Sequence, residues 1–112
     1  MYTVKIYLLC VIKDYNMTDI QENILQFIRK RFPKKENWLT GNCYYFALIL
    51  ADRFSGTIYY DKENIHFIVN IQDTYYDWTG IIKPNINNLY NWNHLKLENE
   101  SMYNKIYLEC IK

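Results

Sequence analysis

Thr40-Gly41-Asn42-Cys43-Tyr44-Tyr45-Phe46-Ala47-Leu48-Ile49-Leu50-Ala51, closed by Ser55-Gly56 and followed by Thr57-Ile58-Tyr59-Tyr60-Asp61, is where the chain's periodicity changes from helical to extended. Thr40, Gly41 and Asn42 are helix-start signals, because short polar side chains satisfy amides that the first turn leaves unpaired. The run from Cys43 to Ala51 is apolar on every side, which predicts a helix inside the protein. Cys43, Ala47, Leu50, Ala51 and Phe54 share one face, and the small residues at 43, 47 and 51 let a sheet approach closely. Ser55-Gly56 ends this helix. From Thr57 the period becomes two: residues 57–61, 65–71 and 75–78 are β-rich runs separated by Asp61-Lys62-Glu63-Asn64 and Gln72-Asp73. They predict an antiparallel meander, with Ile65, Phe67, Val69 and Ile71 on one face of the middle strand and His66, Ile68 and Asn70 on the other.

Upstream, Thr18-Asp19-Ile20-Gln21 is a capping box that starts a helix near Asp19. Ile20, Ile24, Phe27, Ile28 and Phe32 form its apolar stripe, with Glu22, Gln26 and Arg29 opposite, and Pro33 stops it. Residues 34–37 form a polar loop. Residues 2–12 read as a strand, while Met17 is an alternative start that would make residues 1–16 an N-terminal extension. Downstream, residues 80–93, with Pro84 and several asparagines, read as an irregular loop carrying Tyr90 and Trp92. Residues 101–111 read as a closing helix or a closing strand. With no repeat, low-complexity tract or linker, residues 1–112 are expected to form a single α+β domain.

Of the 112 residues half are apolar, and thirteen Lys+Arg stand against twelve Asp+Glu for a formal net charge of +1. No one-signed field is available to recruit nucleic acid in general or an anionic membrane. The apolar runs fall short of the roughly twenty residues that span a bilayer. Cys10, Cys43 and Cys110 are widely spaced and accompany only two histidines, so neither a disulfide framework nor a metal site is expected. A reducing, cytoplasmic setting fits, since the N-terminus lacks the small-residue cleavage site of a secretory signal. Heavy use of Asn, Lys, Ile and Tyr is associated with AT-rich genomes, as in low-GC bacteria and their phages.

The chemistry points to Cys43, which opens a helix whose first-turn amides and dipole favour the reactive thiolate. His66, at the start of the second strand, is placed to take the thiol proton. A two-residue turn at Gln72-Asp73 pairs residue 68 with 77 and 66 with 79, so Asp77 lies diagonal to His66 on the same face and can orient the imidazole. His94, in the polar stretch near Trp92, is an alternative base. Cys10 and Cys110 read as packing residues.

Thr40-Gly41-Asn42-Cys43-Tyr44-Tyr45-Phe46-Ala47, Ile65-His66-Phe67-Ile68-Val69 and Tyr75-Tyr76-Asp77-Trp78 together resemble the papain-like cysteine hydrolases of bacteria and phages. These include NlpC-type amidases, the transglutaminase-like group and bacteriocin-leader peptidases. The resemblance covers residues 38–80, and the chain is also similar to short phage and Firmicute proteins of this length. It implies a papain-like core in which a buried helix carrying the cysteine packs on a small antiparallel sheet. It further implies Cys43 as nucleophile, His66 as general base, Asp77 as orienting acid and the Cys43 amide as one oxyanion donor. No glutamine shortly precedes the cysteine, so Asn42 and Trp38 are the candidates for the second donor, with Trp78 beside the substrate. The implied activity is thiol-dependent hydrolysis or transfer at an amide of a protein or peptide, with no cofactor.

The alternative is an inactive interaction protein on the same scaffold. Tyr59, Tyr60, Tyr75, Tyr76, Trp78, Tyr90 and Trp92 cluster in sequence, and such residues are favoured where a partner docks. A phage-borne inhibitor of a host defence protein would use them.

Overall fold

Thr18 starts the first helix as its sequence predicts, its Oγ1 accepting the Gln21 amide at 3.2 Å while Gln21 Oε1 accepts the Thr18 amide at 3.0 Å. The computed structural model describes residues 17–32 and 43–111. Helix α1 (Asp19–Arg31) buries Ile24 and Ile28 and is followed by buried Phe32. Helix α2 (Cys43–Phe54) leads into a meander of β1 (Thr57–Asp61), β2 (His66–Ile71), β3 (Thr74–Asp77) and β4 (Gly80–Ile82). A 3-10 turn (Ile86–Asn88), β5 (Leu89–Asn91), α3 (Trp92–Glu98) and α4 (Glu100–Ile106) follow, the last running into a π-helical turn (Tyr107–Ile111). The described residues thus form an α+β fold with four helices and a five-stranded antiparallel sheet, ordered β4-β3-β2-β1-β5.

The register is set by turn chemistry. Gln72 (φ 51°) and Asp73 (φ 68°) both take the left-handed conformation of a two-residue hairpin turn whose twist matches the strands. Ile71 pairs with Thr74, Asn70 with Tyr75 and Val69 with Tyr76, the even parity the turn predicts, and the ladder stops there, short of the expected pairings of 68 with 77 and 66 with 79. The β1–β2 loop is tied by Asp61, whose Oδ1 accepts the amides of Glu63 and Asn64 and whose Oδ2 accepts Asn64 Nδ2 at 2.9 Å. That loop ends on Ile65 at φ 54°, 63% exposed, so Ile65 is a strained turn residue and not the core strand position its apolarity suggested.

Phe67, Val69 and Ile71 face the helices. Gly56 lies so close to β2 that a Cβ there would meet Val69 Cγ1 at 2.7 Å, while at the other end of α2 the Tyr44 ring meets Phe67 at 5.0 Å. Helix α2 therefore runs along β2 in the same direction, with its Cys43 end beside the start of that strand. Phe32 against Phe46 and Phe27 against Phe54 seat α1 on α2. Trp92 joins α3 to the same layer through Phe67 and stacks on Tyr103 of α4 at 4.4 Å. Helix α2 is not buried all round: Tyr45 and Leu48 are 49% and 39% exposed, because the sheet and α1 cover only part of its circumference.

Residues 80–93 are not the irregular loop expected. Three-residue strands β4 and β5 pair with β3 and β1 at opposite edges of the sheet, and residues 83–88 cross its width between them. The helices occupy the face of Phe67, so the crossing uses the other, where Ile68 is fully buried yet outside the helix-side core. The asparagines serve as caps: Asn91 accepts the amides of Asn93 and His94, and Asn99 that of Met102. Residues 101–111 are helical. The strand read at 2–12, the extension 1–16, Cys10, Pro33, Trp38 and Asn42 lie outside the described residues.

Candidate functional site

His66 and Asp77 come together where β2 starts and β3 ends. His66 Nε2 lies 3.6 Å from Asp77 Oδ2, with each side chain 11% exposed. At that separation the pair is a charge contact, and Nε2 has no other hydrogen-bond partner among the described residues. Asp77 Oδ1 is occupied from the opposite side by Thr79, whose amide donates at 2.7 Å and whose hydroxyl also donates. Burial works to raise the Asp77 carboxyl, but the contacts with His66 and with the Thr79 side chain and backbone outweigh it and hold it below its ordinary value. The Trp78 indole stands edge-to-face against the His66 ring at 5.4 Å and meets Phe46 of α2 at 6.5 Å.

These groups open onto a cleft of about 410 Å³ lined by Asp61, Asn64, His66, Asp77, Trp78, Ile82, Lys83 and Pro84. Asp61 is committed to the β1–β2 loop, leaving His66 and Asp77 as the cleft's acid–base pair and Lys83 as its cation. Because Asp77 faces Nε2, Nδ1 is the imidazole nitrogen left to accept a proton from elsewhere.

Cys43 is 2% exposed, within the helix-side core. It shares an end of the layer with His66, since Tyr44 meets Phe67. Strand alternation, however, points His66 with Ile68 and Asn70, away from α2, and Trp78 is the side chain that touches both His66 and the helix.

A family profile described as Phage YunG-like protein matches residues 24–109, more than half of the chain. The chain belongs to the Phage YunG-like family. That makes it a phage-type small protein, and the match spans α2, the hairpins, the crossing and both C-terminal helices. No curated protein and no solved structure matches it. Within this Phage YunG-like chain the papain-like resemblance rests on the residues quoted for it.

Among the other candidates, Trp78 is buried against His66 and lines the cleft, and His94 is exposed on α3, remote in sequence from the cleft residues. Trp92, Tyr60 and Tyr76 are buried, so most of the aromatic cluster fills the core. Of the described residues none form a group able to hold a metal ion, and no described helix is long and apolar enough to cross a membrane. Sequence reasoning passed over Thr79, Asp61 and Lys83. Asp77-Trp78-Thr79-Gly80 carries a turn signal, Asp first and Gly last, that identifies Thr79 as a partner for the carboxylate.

Proposed function

We propose that this protein is a thiol-dependent amide hydrolase or transferase on a papain-like core, acting on a protein or peptide in the bacterial cytoplasm. Cys43 is the nucleophile, His66 the base and Asp77 the orienting acid. The observation that carries the reading is the His66–Asp77 contact at 3.6 Å, formed at a cleft and at the end of the sheet where Cys43 opens α2. In the reaction, which requires the His66 ring to reach the Cys43 end of α2, Nδ1 takes the thiol proton and Sγ attacks the amide carbon. The Cys43 amide, with Asn42 or Trp38 as second donor, holds the oxyanion. The imidazolium then protonates the leaving amine. Water, or an acceptor amine, gives a proton to His66 as it attacks the thioester, and the thiol is released. Trp78 shields the His66–Asp77 contact and borders the substrate.

Iodoacetamide labelling tests this without a known substrate. If the helix start and His66 together stabilise its thiolate, Cys43 in the folded protein should be alkylated below neutral pH. His66→Ala should slow the labelling and move its midpoint upward. An unlabelled Cys43, or a pH profile indifferent to His66, removes the thiol chemistry.

A second reading, an interaction protein that inhibits a host defence component, is favoured by the burial of Cys43. Its contact surface would use exposed Tyr45 and Leu48 and half-buried Tyr59 and Tyr75, as Trp78 and Trp92 are buried. Full biological effect in Cys43→Ala selects it.

A further inference from the structure

We propose that Thr79 is the positioning residue of the His66–Asp77 pair. Its backbone N–H and its hydroxyl both take Oδ1 of Asp77, which fixes the carboxylate rotamer and turns Oδ2 toward His66 Nε2. Calling the pair catalytic rests on the function proposed above, whereas the geometry of the pair does not.

The chain's own layout makes the hydroxyl necessary. Asp77 ends β3 and pairs with Gly80, so Trp78 and Thr79 are the two residues of a tight turn, and a carboxylate at such an end has no strand neighbour to pin it. The Thr79 amide alone is a single donor about which the carboxylate can pivot. Amide and hydroxyl together, both from one residue, hold it in one orientation. With His66 Nε2 and Asp77 Oδ2 already 3.6 Å apart, a small rotation would break the contact. The other charged groups of the cleft do not take over: Asp61 on β1 is bound to Glu63 and Asn64, and Lys83 on the crossing is exposed at the rim.

Three variants test this in the full-length protein: Thr79→Val, which keeps shape and the amide but removes the hydroxyl; Thr79→Ser, which keeps the hydroxyl; and Asp77→Asn as reference. The readouts are the carboxyl titration of Asp77 by NMR and the inflection that this titration imprints on the His66 ring signals. Thr79→Val should raise the Asp77 midpoint by about half a unit or more and erase most of the His66 inflection, as Asp77→Asn does completely. Thr79→Ser should restore both. An unchanged midpoint and inflection in Thr79→Val, or the same loss in Thr79→Ser, overturns the proposal. Iodoacetamide labelling of the native protein and of His66→Ala separates it from the thiol chemistry. If Cys43 labelling ignores His66 while the His66 inflection still follows Thr79, the positioning role stands and the hydrolase reading falls.

Discussion

Gly56→Ala and Ser55→Gly should change stability in opposite directions, the reverse of what a Ser-Gly helix stop suggests. Glycine after a helix usually supplies the left-handed residue, yet here Ser55 has φ 57°, and the Gly56 amide donates to Ala51 O at 2.9 Å to close the last turn. Gly56 is required for a different reason. A Cβ would meet Val69 Cγ1 at 2.7 Å, Ile71 Cγ1 at 2.8 Å and Asn70 O at 3.0 Å, and neither branched side chain nor backbone can withdraw freely. Overpacking of this kind costs about 1 to 3 kcal/mol, against a gain under about 1 kcal/mol from a stiffer unfolded chain. The net loss should be about 1 kcal/mol, which lowers Tm by roughly 4 °C in a chain of this size. For Ser55→Gly, relief of about 1 kcal/mol of left-handed strain exceeds the added unfolded-state freedom, so the variant should be neutral to about 0.5 kcal/mol more stable. Urea and thermal unfolding of both variants measure this. A neutral Gly56→Ala together with a destabilised Ser55→Gly would refute the close seating of α2 on β2, and with it the placement of Cys43 at the His66 end.

Ile65→Asn should stabilise the fold by about 0.5 to 1 kcal/mol in urea unfolding, because asparagine tolerates φ near 54° and little apolar surface is lost from a side chain 63% exposed. A destabilised Ile65→Asn would mean that its side chain packs where it is now seen exposed. The Asp77 carboxyl lies below its ordinary value in the folded state, so its contribution to stability is complete above the unfolded pKa, near 3.8, and is lost as pH falls through the lower folded value. The stability gap between the native protein and Asp77→Asn should therefore be constant above about pH 5 and narrow in the acid limb; a gap that stays constant to pH 2 contradicts the contacts assigned to Asp77. Asn91→Ala should cost about 1 kcal/mol by removing the acceptor of two α3 amides, and a neutral result in thermal unfolding would show that α3 is held by Trp92 alone.

What the sequence reveals here is whatever is encoded locally. The capping box at Thr18, the α2 start at Cys43 and the parity of the Gln72-Asp73 turn are each decided within a few residues, and the Asp77–His66 proximity follows from that parity alone. Strands β4 and β5 are three residues each and are defined by their partners, which no periodicity in residues 80–93 announces. Asn91, the cap of α3, lies inside the stretch that reads as a loop. The apolar run of α2 overstated burial because a sequence does not say how much surface is available to cover a helix. Ile65 misled for a related reason: its type fits a strand, but the loop tied by Asp61 fixes its backbone.

The segment that leaves β4 shapes the cleft at His66 and Asp77. Among the described residues the helices cover one face of the sheet, and the cleft at His66 and Asp77 is walled by residues that follow β4. Residues 82–84 supply that wall, with Ile82 and Pro84 apolar, Pro84 restricted in φ, and Lys83 adding a positive charge to the cleft lining. The same residues also border a second cleft of about 400 Å³, lined by Thr74, Tyr75, Ile81 and Ile86. Change within the crossing can therefore reshape both clefts while leaving the hairpin register as it is.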